Sequence, residues 1–129
     1  MTQPLTMAQR IAQTAIAFEK KRLGRNPTSV TVVIGGDTLA ITMHGVLTSA
    51  EMMLATTPAG ASQLQDFHQN LFQHSSDPLR REIKRITGLE ICKDDTNKAS
   101  AAVQVFSVGT VVQVFLLAGH LPADSWDGT

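Results

Sequence analysis

One run constrains this chain more than any other: Leu23-Gly24-Arg25-Asn26-Pro27, a β-branched stretch, then Gly45-Val46-Leu47-Thr48-Ser49-Ala50-Glu51. Gly24 suits the left-handed position that ends a helix, and Pro27 soon afterwards prevents continuation. Thr48 and Glu51 have the spacing of a capping box. The threonine hydroxyl accepts from the Glu51 amide and the glutamate reaches back to the Thr48 amide, worth about 1 kcal/mol for the cap. A helix must therefore end near residue 23, another must begin near residue 48, and extended chain fills the gap.

The flanking patterns agree. Leu5, Ala8, Ile11, Ala12, Ala15 and Phe18 form one apolar stripe at helical spacing, which predicts a helix over 5–22. Val30–Ile34 and Thr38–Met43 read as strands joined at Gly35-Gly36-Asp37, a combination suited to a tight hairpin turn. A short helix after Thr48 should end near Thr56-Thr57, because Pro58 disfavours helix in the residue before it. Residues 60–87 are helical, either as one kinked helix or as two broken at Ser75-Ser76-Asp77-Pro78, and Gly88 closes them. Leu89–Cys92 begins a third strand. Val103-Gln104-Val105-Phe106 and Val112-Gln113-Val114-Phe115 repeat one tetrapeptide and predict a closing hairpin, turning at Gly109-Thr110.

Helices and antiparallel hairpins in separate blocks predict an α+β fold, with a sheet of four to five strands and helices on one face. Residues 1–119 form the single domain and 120–129 a loose C-terminal tail. The closing hairpin is apolar on both faces, so a second cover is needed, and a homodimer supplies it.

Charge and cysteine usage narrow the function classes. Lys+Arg and Asp+Glu both number 11, which removes the basic excess that non-specific nucleic-acid binding requires. The single cysteine, Cys92, allows no intrachain disulfide and fits a reducing, cytoplasmic setting. The first residues lack the basic-then-apolar order of a signal peptide, and no apolar run approaches the roughly 20 residues of a membrane helix. Contact with a membrane is thus expected to be peripheral or through a partner.

Phe18-Glu19, the Leu23–Pro27 run, the Gly45–Glu51 run and Leu79 to Gly88 resemble domain of unknown function 2294. That family is also named for the C component of a sodium-translocating, membrane-potential-generating system. The likeness covers roughly residues 5–117. It implies a small accessory protein beside membrane ion or bicarbonate transport, and it brings no catalytic residues with it. The chain departs from the family pattern at His44, where Lys or Arg is usual, and around Cys92–Thr96.

Few residues invite chemistry. Arg25 could bind a carboxylate, phosphate or bicarbonate through its planar fork, or cap helix carbonyls. His44, Thr48 and Glu51 lie close by in sequence, and with Arg25 they form the candidate ligand site. His44 could titrate near neutral pH. Arg80, Arg81, Lys84 and Arg85 form a basic helix face, a candidate contact for a partner or for anionic headgroups. His44, His68, His74 and His120 show no metal-ligand spacing, so no metal, cofactor or catalytic residue is expected. The expected function is a non-enzymatic cytoplasmic accessory protein, and the alternative is a dimeric sensor of a small anion or metabolite.

Overall fold

A computed structural model describes residues 4–96 and 98–128. The elements follow in the order α1 (Met7–Leu23), β1 (Ser29–His44), α2 (Ser49–Leu54), α3 (Pro58–Ser75), α4 (Asp77–Thr87), β2 (Ala101–Phe106) and β3 (Thr110–Gly128). The strands form one antiparallel sheet in the order β1-β3-β2, and α1, α3 and α4 lie on one face of it. The fold is α+β with one helical layer.

The local signals act as expected. Gly24 takes a φ of 64° at the end of α1, and its amide bonds the Glu19 carbonyl. Both halves of the Thr48–Glu51 capping box are made. The helical region is two helices, and Ser76 stands at the break.

The strands differ from expectation, and the sheet has three rather than four or five. Residues 30–34 and 38–43 are not a hairpin. They are two halves of the single strand β1, and both pair with β3. Gly36, at a φ of 59°, sits in a bulge. There β3 advances from Leu116 to Leu121 while β1 moves only from Thr38 to Gly36. The bulge has a clear physical role. Val30, Val32 and Ile34 are even-numbered, Leu39, Ile41 and Met43 odd-numbered, yet all six are buried. Strict alternation would send one set to the wrong face, and the irregularity restores both to the core.

The remaining strand assignments change for related reasons. The Leu89–Cys92 segment contributes only an isolated bridge, Ile91 to Leu117. The β2–β3 turn is Ser107–Gly109, one residue longer than a two-residue turn, with Gly109 at a φ of 93°. Residues 120–128 are no loose tail: Leu121 to Gly128 pair with Gly36 to Val30. The Asp124 carboxylate also accepts from the Ala8 amide at 2.9 Å, capping the start of α1 from the far end of the chain.

The core lies between the helices and the inner face of the sheet. Ala8, Ile11, Ala12 and Ala15 of α1, Leu79, Ile83 and Ile86 of α4, and Phe72 of α3 meet Phe115, Leu117 and the six buried β1 residues. The outer face is different. Val112 and Val114 are half-buried there, Leu116 is 42% exposed and Phe106 46%.

Candidate functional site

The Leu23–Pro27 and Gly45–Glu51 runs meet in space. Gly24 turns the chain out of α1 and delivers Arg25 toward the start of α2, where the capping box holds Glu51. Arg25 grips Glu51 with both arms of its guanidinium, Nη1 to Oε1 at 2.5 Å and Nη2 to Oε2 at 3.1 Å. Nη1 also donates to the Val46 carbonyl at 3.3 Å. Glu51 Oε1 accepts from the Thr48 amide, and Oε2 lies 2.7 Å from His68 Nε2 on α3. One carboxylate thus ties the end of α1, the start of α2 and the middle of α3 together.

The electrostatics follow from this geometry. Burial alone would raise the Glu51 carboxyl. The hydrogen bonds from Arg25, the Thr48 amide and His68, with the Arg25 charge, outweigh it and bring the group down to about 2. Burial holds His68 below its ordinary range, against the opposing pull of Glu51. The Glu51 carboxylate can only accept, so the His68 Nε2–H is the donor between them.

A small cavity of about 20 Å³ opens beside this network, in the gap between α1 and α3 over the sheet. Glu19, Arg25, His68, Ser75, Ser76 and Gln113 supply its polar wall. Glu19 is only 3% exposed and Gln113 6%. Burial pushes the Glu19 carboxyl up to about 7, against the lowering charge of Arg25. The Gln113 Oε1 is buried with no hydrogen-bond partner.

Three of the four proposed ligand-site residues, Arg25, Thr48 and Glu51, come together. They bond mainly to each other, so the guanidinium fork of Arg25 is already occupied. His44 stands apart on the outer face, its ring 3.4 Å from Thr110 Oγ1. On α4 the basic face is largely paired: Arg80 with Asp77, Lys84 with Glu90 and Arg85 with Glu82. Among the described residues Arg81 joins no ion pair, and no group of three or more His, Cys, Asp or Glu is placed to hold a metal ion.

Sequence reasoning missed Glu19, His68 and Gln113 as site residues. Glu19 continues the buried 8–12–15 face of α1 by one helical step, and a carboxylate on an apolar stripe was the available signal. Gln113 shares the inward face of β3 with Val111 and Phe115, where its polarity is out of place. For His68 the neighbouring α3 stripe through Leu64 and Phe72 gave the equivalent hint.

Fold and site together define a small α+β domain, one helical layer on a three-stranded antiparallel sheet, centred on a buried polar network. The chain belongs to the family described as Na+-translocating membrane potential-generating system (MpsC), whose model matches residues 4–115. It is also similar to the Uncharacterized protein YbcI of Bacillus subtilis (strain 168), at 27% identity over 111 residues, covering 86% of this chain and 85% of the relative. No solved structure matches the chain. Among the described residues no helix is long and apolar enough to cross a membrane.

Proposed function

We propose that this protein is a non-enzymatic, cytoplasmic accessory subunit that acts beside a membrane ion-translocating system. The observation that carries this reading is the family match across residues 4–115. The polar network supports it, since Arg25, Thr48, Glu51 and His68 bond to each other and brace three helices. The exposed Arg81 and its neighbours on α4 are the proposed contact with the partner. Capture of the tagged protein from gently solubilised native membranes tests this. The expected result is co-purification of a multi-spanning ion-translocating subunit, lost when Arg81 and Lys84 are both changed to Glu. Capture of the chain alone overturns it.

A second reading is a small-anion or metabolite sensor. It is favoured by the convergence of Arg25, Glu51 and His68 beside a cavity, and an anion would have to displace Glu51 to reach Arg25.

The working unit in either reading is a homodimer, joined through the outer face of the sheet. Val112, Val114 and Leu116 of β3 line up there with Ala40 of β1 and with Ala102 and Phe106 of β2. A strand with two apolar faces calls for two covers, and the helices supply one. Light scattering at micromolar concentration should give twice the 13.9 kDa chain mass. Leu116→Asp should halve it with an unchanged far-ultraviolet circular dichroism spectrum. A wild-type mass equal to one chain removes the dimer.

A further inference from the structure

The cavity between α1 and α3 holds a pairing problem that the rest of the site does not solve. Gln113 Oε1 is buried and needs a donor. Glu19 lines the same cavity, and Arg25, the cation beside it among the described residues, is already gripped by Glu51. An ionised Glu19 would hold a carboxylate at 3% exposure beside a guanidinium already committed to Glu51, and burial of that kind favours the neutral form. A protonated Glu19 removes that buried charge and adds a donor to the wall that Gln113 Oε1 shares. The volume, about 20 Å³, accommodates one water.

We propose that this cavity is a proton-binding site, in which one buried water carries a hydrogen bond from the protonated Glu19 carboxyl to Gln113 Oε1. The ligand is a proton taken from solvent, and the water is its relay. On ionisation the proton returns to solvent through the half-buried mouth at Leu23, Leu71 and Ser75. The Gln113 amide then turns to offer its Nε2–H to the carboxylate. Glu19 thereby couples the packing of α1 over the sheet to pH.

The charges around Glu19 are few. From the loop after α1 comes Arg25, from α2 Glu51, and from α3 His68, whose Nε2 is committed to Glu51. Lys20 and Arg22 on α1 itself are exposed, and Glu82 of α4 faces Phe18 and Arg22 in a separate surface groove. The strands give the cavity only Met43, Val103, Val111 and Gln113, of which none titrates. The carboxyl placed at about 7 by its burial agrees with this setting.

The inference stands on the cavity and is independent of the accessory role, since it is tested on the isolated protein. The carbon-13 shift of the Glu19 carboxyl and the nitrogen-15 shift of the Gln113 side-chain amide are followed from pH 4 to pH 9. Both should move together with a midpoint near neutrality. In Glu19→Gln, which keeps the shape and removes the proton, the Gln113 movement should vanish. A Glu19 midpoint in the ordinary carboxylate range overturns the proposal. So does a Gln113 amide that stays still as Glu19 titrates, or one that still moves in Glu19→Gln.

Discussion

Arg25→Ala should lower folding stability by about 3 kcal/mol, read as a fall in the urea midpoint at unchanged slope. The loss is not that of one surface ion pair, which is worth little. Both side chains are mostly buried, at 11% and 14% exposure. Removing the guanidinium strands Glu51 with only the Thr48 amide and His68, and takes the Nη1 donor from the Val46 carbonyl. Arg25→Lys keeps the charge but not the fork, and should recover only part of the loss.

The same variant changes the pH dependence with a defined sign. Glu51 lies below its unfolded value, so its stabilisation is present above pH 4.5 and is lost as pH falls toward 2. Wild type should therefore weaken across that acid window, and Arg25→Ala should show a much shallower slope there. Equal slopes in the two proteins would mean that Arg25 does not set the Glu51 ionisation. Glu19 works in the opposite direction. Its carboxyl is raised, so its contribution is complete below pH 4.5 and is lost as pH climbs through about 7. Two carboxylates near one arginine thus respond to opposite ends of the pH scale.

Ending the chain at Gly119 should be at least as damaging, costing over about 4 kcal/mol and in practice leaving an aggregating protein. Residues 121–128 are the hydrogen-bonding partners of the first half of β1. Without them Val30, Val32 and Ile34, now buried, sit on an unpaired edge, Trp126 and Leu121 no longer pack on the core, and α1 loses its Asp124 cap. Denaturant unfolding and size-exclusion chromatography check this. A truncated chain with the wild-type urea midpoint would show that the segment contributes nothing.

That second case marks where sequence reasoning stops. The end of α1 at Gly24 and the Thr48–Glu51 box are decided within a few residues and were legible, while at residues 75–78 the sequence left a kink and a break both open. Strand pairing is decided by the whole molecule. Gly35-Gly36-Asp37 has the chemistry of a turn and of a bulge alike, and only a partner strand long enough to span both halves of β1 chooses the bulge. Pro122 is tolerable because this part of β3 lies beyond the end of β2, where one edge is free of a neighbour. The site shows the same division. Arg25 and Glu51 could each be singled out, but their pairing across 26 positions is a product of the fold. Glu19 and Gln113 carried visible signals, a polar residue in phase with an apolar face, and needed only to be weighed by face rather than by motif.

The pairing of Val30 with Gly128 also bears on how the molecule is made. A ribosome delivers β1 well before β3, so β1 emerges with its six core side chains and has no strand to join until residues 110–128 have followed. The helices can form in the meantime, but the sheet that orders them cannot. Such non-local closure slows folding and lengthens the exposure of apolar strand. Nascent chains stalled anywhere before residue 120 should therefore hold chaperones, and release from them should coincide with the arrival of the final strand.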